Sequence, residues 1–166
     1  FFVDELRFLA RAYGARQEPR YREAFERGLA YILKAQYPTG GWPQLYPPGS
    51  QYHRHITFND NSMVRILRFL RDVGTAGTYD FVPKERRAAA RRAFERGIEC
   101  ILRCQIEVDG VRTAWCAQHD ERDLSPRKGR SYELATLSGA ESVEIVRLLM
   151  SIEDPGPEVV RAVDAA

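Results

Sequence analysis

The sequence predicts an all-α chain of tandem helix pairs, and two internal repeats with helical periodicity predict it. Residues 24–36 read AFERGLAYILKAQ and residues 93–105 read AFERGIECILRCQ, with eight of thirteen positions identical at an offset of 69. A second pair of segments, VRILRFL over 64–70 and VEIVRLL over 143–149, recurs at an offset of 79. Two kinds of segment therefore alternate, as in a repeat architecture.

Each element follows from local pattern. A first helix is expected over about residues 2–13 and a second over 20–36, where Phe25, Leu29, Ile32 and Leu33 recur at spacings of three and four. Glu26, Arg27 and Lys34 take the other faces. A third helix over 57–73 has a broad apolar face of Val64, Leu67, Phe69 and Leu70. A fourth spans 83–104, a fifth 135–152, and a sixth opens at about Pro157. Pro19 and Pro83 precede the two AFERG helices, where proline is tolerated. Strand signals are weak, apart from a short hairpin over 108–113 around Asp109-Gly110. Each unit is thus a helix pair followed by a long loop, and such pairs must bury their faces on neighbouring pairs. An α/α toroid does this, and so does a short superhelix.

Composition narrows the class. The chain has 166 residues, 44% apolar and 29% charged, a globular profile. No apolar run approaches the roughly 20 residues that span a bilayer, so no membrane role is expected. Twenty-five basic residues against 23 acidic ones give no field that implies nucleic acid. The chain opens Phe1-Phe2-Val3-Asp4 without an initiator methionine and reads as a piece of a longer protein. Three cysteines do not make a disulfide scaffold. Cys100, Cys104, Cys116 and His119 mimic a zinc pattern. The repeat argues against it, because Cys100 aligns with Tyr31 and Cys104 with Ala35, ordinary packing residues. Buried, metal-free thiols are expected.

The chemistry is expected in the loops. The first runs from Tyr37 to Asn61 and holds four of the nine prolines and Asn59-Asp60-Asn61. The second runs from Trp115 to Glu133. Loops this long inside a domain are usually functional. Both follow the same helix type, so both should emerge at one end, bringing Asp60, Asp120, Arg127, Lys128 and Arg130 towards one face. Asn59, Asp60, Asn61, Asp120, Glu121 and Asp123 offer oxygens of the kind calcium takes. Arginines bind carboxylates in a bidentate way. Trp42, Tyr46, Tyr52 and Trp115 offer rings for sugar faces. The mixture suits an extended, acidic carbohydrate. Plainer roles stand beside these: a helix N-cap for Asn59 or Asp60, loop anchors for the tryptophans, structural histidines at 53 and 55, and a solvated charge run over 127–130. No nucleophile elbow or phosphate loop occurs. A hydrolytic carboxylate pair of Asp60 and Asp120 across a cleft stays open.

Three motif groups together resemble polysaccharide lyase family 10, the pectate lyases. They are Gly40-Gly-Trp-Pro-Gln44; Tyr52-His-Arg-His-Ile-Thr-Phe-Asn-Asp-Asn61 with Met63; and Trp115-Cys-Ala-Gln-His-Asp-Glu121, followed by Pro126, Arg130, Tyr132-Glu133, Ser138 and Glu141-Ser142. The resemblance covers nearly the whole chain. It implies an α/α toroid of three helix pairs, of which the third is truncated here. It also implies calcium-assisted β-elimination of α-1,4-polygalacturonate, outside the cell or in the periplasm, without an obligate protein partner. By the resemblance, Asp60 is a calcium-site aspartate and Asp120 the second metal candidate. His53, His55, Asn61, Lys128 and Arg130 are the implied substrate contacts. The family's arginine base belongs to a region after the third pair, which places it beyond Ala166. Residues 1–166 are therefore expected to form an incomplete catalytic domain with little activity alone. Arg130 is then the fallback base. The alternative is a non-catalytic α/α module that binds acidic polysaccharide. A triterpene-cyclase toroid, suggested by Gln36, Gly40 and Trp42, lacks its aspartate-rich segment here.

Overall fold

The helices form at the expected places, and two repeated contacts show why they are equivalent. A computed structural model describes residues 2–166. Its elements are α1 (Phe2–Arg16), α2 (Pro19–Ala35), β1 (Ile56–Thr57), α3 (Ser62–Thr75), α4 (Lys84–Cys104), β2 (Glu107–Val108), β3 (Val111–Arg112), β4 (Gln118–His119), α5 (Gly139–Met150) and α6 (Pro157–Asp164). Helices pair as α1 with α2, α3 with α4 and α5 with α6, and α4 also touches α2 and α6. The result is an all-α, toroid-like arc.

The first repeated contact uses tryptophan. Trp42 Nε1 donates to the Ile32 carbonyl and Trp115 Nε1 to the Ile101 carbonyl, both at 2.8 Å. Ile32 and Ile101 lie 69 residues apart, so the contact repeats the sequence repeat. The second uses the glutamine that follows each helix. Gln36 Nε2 donates to the Gly40 and Ala93 carbonyls, and Gln105 Nε2 to the Thr113 and Ala162 carbonyls. Ala93 and Ala162 are again 69 apart. Each unit is thereby fastened to the next one's repeat helix, through α4 and then α6. The tryptophans are loop anchors, 2% and 0% exposed, and the expectation that they stack on sugars is corrected. Their rings are spent on the core.

Two helix starts differ from the sequence reading. α3 begins at Ser62 rather than near 57, because Ile56 and Thr57 instead pair with His119 and Gln118 as an antiparallel ladder. α5 begins at Gly139 rather than 135, since Leu137 bridges to Cys116. The hairpin of β2 and β3 forms as expected. Asp109 and Gly110 take φ of 51° and 78°, the left-handed pair of a two-residue hairpin turn.

Two glycines on the repeat helices let their partner helices approach. A Cβ on Gly28 would meet only the tip of Leu6, which can move. A Cβ on Gly97 would meet Leu67 and also the Trp42 ring at 3.1 Å, and that ring is fixed by its hydrogen bond. Alanine favours a helix over glycine by about 1 kcal/mol, which offsets the first clash. Gly28→Ala is expected to be close to neutral, and Gly97→Ala to destabilise by about 1–3 kcal/mol, the usual cost of overpacking. Thermal melts of the two variants, side by side, check this.

Candidate functional site

The short ladder between β1 and β4 positions the site, because it ties the first long loop to the second. Phe58 N–H and Asn59 N–H both donate to the Ala117 carbonyl, at 2.8 and 3.1 Å. Thr39 Oγ1 donates to the Glu121 carbonyl at 3.0 Å. The two loops therefore do emerge at one end of the helices, as the repeat requires.

Glu121 holds the junction. Its carboxylate is ion-paired with the Arg54 guanidinium and lies 3.3 Å from His55 Nδ1. Its side chain is only 8% exposed. Burial pushes its carboxyl up, but its own backbone N–H, Arg54 and His55 outweigh that and hold it below the usual value. Tyr37 donates from its hydroxyl to the Arg54 carbonyl at 2.7 Å, fixing the arginine's backbone as well.

Asp120 stands next to it and shapes the second loop. Its Oδ1 accepts the Arg122 N–H at 2.8 Å, and its Oδ2 accepts from Arg127 Nε at 3.1 Å. Burial raises its carboxyl, while the backbone N–H groups of Arg122 and Asp123 and the Arg127 guanidinium lower it further, leaving it below the ordinary value. His119, fully buried beside these, accepts from Cys116 N–H at its Nε2 and bonds the Leu124 carbonyl through Nδ1. Nδ1 therefore carries the proton. Burial lowers its pKa, so it stays neutral. Both ring nitrogens are engaged, which leaves His119 no lone pair for a metal. The thiols of Cys100 and Cys104 lie 4.0 Å apart in the core, while the Cys116 thiol contacts the Arg127 carbonyl.

These shifts set a pH dependence. Each of the three groups has a folded pKa below its unfolded one, so its stabilisation is complete above the unfolded pKa and is lost as pH falls. The loss begins near about 6.5 for His119 and near about 4 for the two carboxylates. Stability should fall in two stages on acidification, the first by at most about 1.4 kcal/mol per pH unit for the single proton taken up at His119. Chemical denaturation between about pH 8 and 3 measures it; His119→Gln should flatten the first stage.

Asp60 and Asn61 are built differently. They adopt φ of 54° and 59°, two consecutive left-handed residues just ahead of α3. Asp and Asn tolerate this region best among residues with a Cβ, yet it still costs free energy, and such strain concentrates at functional sites. Neither caps α3: no side-chain cap is made there, and Ser62 Oγ donates instead to the Asn59 carbonyl. This corrects the N-cap reading. Asp60 is exposed, and its carboxylate has no side-chain partner among the described residues.

The remaining sequence candidates fall around this junction. His55, Asp120 and Glu121 bring one potential ligand atom each to within 4.8 Å of one another. Asp60 is not in that group. A hard cation prefers oxygen donors and avoids an imidazole. Glu121 is already neutralised by Arg54. The Asp60 carboxylate, without a side-chain partner among the described residues, and the side-chain amides of Asn59 and Asn61 carry oxygens of the type that calcium takes. His53 stacks on Tyr52 at 4.7 Å, with its Nδ1 buried and unbonded. Lys128 is exposed. Arg130 pairs with Glu133 and lies over the Tyr132 ring at 4.8 Å. The Glu133 hydrogen bond raises its pKa and keeps it charged.

The arginine base expected beyond Ala166 lies outside the described residues. Ala166 itself brings nothing to the junction. It is an exposed residue that follows α6, its N–H donates to the Val163 carbonyl at 3.3 Å, and its methyl side chain can neither bind a metal nor move a proton. Among the described residues Arg130 therefore stays the candidate that the resemblance implies, and its charge-fixing pair with Glu133 speaks against a role as base.

The sequence points to His55 and Asp120 but not to Glu121 as the tie between the loops. The neighbouring Gln-His-Asp-Glu run is visible, but its partner Arg54 lies 67 residues away. The fastening role of Gln36 and Gln105 is also missed, although their identity within the repeat is the available signal.

Comparisons with known proteins bear on the family and the fold. The family described as pectic acid lyase matches over residues 2–166. A search of curated proteins finds no significant match. Among solved structures, the family 10 polysaccharide lyase from Cellvibrio cellulosa superposes with a TM-score of 0.94 at 36% identity, as does a mutant of it in complex with trigalacturonic acid. Each match covers 99% of this chain and 52% of the solved chain, so this chain spans about half the length of those relatives. A family match over nearly every residue, with a superposition this close, leads to one conclusion: the chain belongs to the pectic acid lyase family.

Proposed function

We propose that this chain forms the polygalacturonate-binding and calcium-binding part of an extracellular or periplasmic pectate lyase acting by β-elimination. The observation that supports it most is the strained, unpartnered Asp60 beside Asn61, next to the point where the two loops join. The trigalacturonic acid bound by a solved relative supports the substrate class.

The reaction removes the C5 proton, alpha to a uronate carboxylate, and expels the sugar oxygen at C4. Calcium, when bound, neutralises that carboxylate and so makes C5 more acidic. Asp60 is the proposed metal residue, with Asp120 the second. Asn61, His53, His55 and Lys128 contact substrate hydroxyls and carboxylates. Arg130 binds a uronate carboxylate. Its pairing with Glu133 keeps the guanidinium charged, and a charged guanidinium cannot accept a proton.

Proton removal in this reading falls to a residue of the longer relatives that corresponds to chain beyond Ala166. Losing a general base costs about two to four orders of magnitude in rate. The 166-residue chain, assayed with calcium and polygalacturonate at alkaline pH, is expected to give little or none of the unsaturated product that absorbs in the ultraviolet. A chain extended to the length of the relatives should form it readily. Equal rates from the two would place the base before Ala166 and overturn this division of roles. No unsaturated product from either would leave a binding module.

A further inference from the structure

A largely apolar groove of about 600 Å³ runs along α2, between that helix, the start of α1 and the Trp42–Tyr46 segment. Phe2, Tyr31 and Leu45 on its walls are 45%, 42% and 57% exposed. The rings of Phe2, Tyr31 and Tyr46 stand edge to face in a row, with centres 5.6 and 5.5 Å apart. The end unit of a repeat array is normally closed by a polar face, and an open apolar one marks a docking surface.

The repeat itself shows what covers such a face. At the offset of 69, Arg27, Gly28 and Tyr31 of α2 correspond to Arg96, Gly97 and Cys100 of α4. On α4 this face is filled by the loop that comes before α3. Gly40 of that loop is pressed onto the helix, where a Cβ would collide with the Arg96 carbonyl and stand 3.1 Å from Cys100 Cβ. A Cβ on Gly97 would stand 3.1 Å from the Trp42 ring. Cys100 is 0% exposed beneath this loop, while its counterpart Tyr31 is open.

Half of the same arrangement is present on α2. The three atoms nearest a Cβ on Gly28 all belong to Leu6, just as Leu67 stands over Gly97. Leu6-Arg7-Phe8-Leu9 recurs as Leu67-Arg68-Phe69-Leu70 at an offset of 61, so the two leucines are counterparts. The Trp42 ring has no counterpart beside Gly28 among the described residues. Each loop packs on the second helix of the unit that follows it, so the loop for α2 comes ahead of α1. Phe2, where α1 starts, lies on the wall of the groove. The solved relatives are nearly twice as long as this chain, which spans 52% of them.

We propose that the groove is the docking site for the segment that precedes Phe2 in a protein of the length of those relatives. The segment is seated by an aromatic ring against Gly28. That ring comes about 20 residues ahead of α1, as Trp42 comes 20 residues ahead of Ser62, where α3 starts.

The test is thiol labelling of Tyr31→Cys, a substitution that gives α2 the residue α4 carries as Cys100. It is made in the 166-residue chain, in a chain extended upstream and in one extended downstream only. Cys100, Cys104 and Cys116 are buried, so their silence reports a folded chain. Position 31 is expected to react freely in the 166-residue chain. With the upstream segment present it should react at least about tenfold more slowly, as a side chain exposed only by local opening does. Downstream extension should leave the rate unchanged, and so should raising the protein concentration. Adding Gly28→Ala to the upstream-extended chain should restore fast labelling, because the new methyl takes the place of the ring. Unchanged labelling on upstream extension overturns the proposal. So does slowing that follows the downstream extension, or slowing that follows concentration, which would make a second copy the occupant. Slow labelling that survives Gly28→Ala overturns the aromatic contact.

Discussion

Replacing Glu121 by alanine is expected to lower the melting temperature by about 6–12 °C, the shift that corresponds to roughly 3 kcal/mol in a chain of this size. Glu121 is the carboxylate on which Arg54 and His55 of the first loop converge from across the junction. Removing one member of a buried ion pair strands the other, typically at about 3–5 kcal/mol. Arg54 retains partial solvent access, with 34% of its side chain exposed, which moderates the penalty. Glu121→Gln keeps the shape and an acceptor oxygen and should recover part of the loss. The alanine substitution should also loosen the β1–β4 ladder, seen as faster amide exchange at Phe58 and Asn59, whose N–H groups meet Ala117. A melting temperature indistinguishable from wild type would mean that the loops are held by the ladder alone.

Asp60→Asn is expected to leave the fold intact and to reduce calcium-dependent cleavage about 100- to 1,000-fold in the chain extended to the length of its relatives. That loss corresponds to the several kcal/mol of charge stabilisation a metal ion supplies. Asparagine tolerates the left-handed φ of 54° as well as aspartate does, so it removes only the charge. Asp60 has no side-chain partner among the described residues to lose, and thermal stability should change by less than about 0.5 kcal/mol. Asp60→Ala should lose the same activity with some added backbone strain. Activity within about a factor of three of wild type for Asp60→Asn would remove this residue from the metal site.

The helical frame was legible because its signals are local or periodic. Residues 24–36 and 93–105 match letter for letter at most of the positions that pack, and the packing then repeats down to the Trp42 and Trp115 hydrogen bonds. The hairpin at Asp109-Gly110 was legible for the same reason: two adjacent residues decide its turn. The β1–β4 ladder was not. Two-residue strands have no alternation to read, and their pairing joins positions about 60 residues apart. That pairing shortens α3 at its start, and the left-handed Asp60 and Asn61 fall between the ladder and the helix. It also brings Glu121 onto Arg54. The tryptophans were open to two readings, and the loop-anchor reading is the one that holds. An aromatic residue in a loop looks like a ligand platform until the helix carbonyl that its N–H meets is known.

Calorimetric titration of calcium into the 166-residue chain with trigalacturonic acid present tests the central claim most directly, because it needs no turnover. Wild type is expected to bind the trimer in a calcium-dependent way, with chelation abolishing the heat and Asp60→Asn removing it while the fold persists. Equal binding with and without calcium, or undiminished calcium binding in Asp60→Asn, would contradict the assignment of this site.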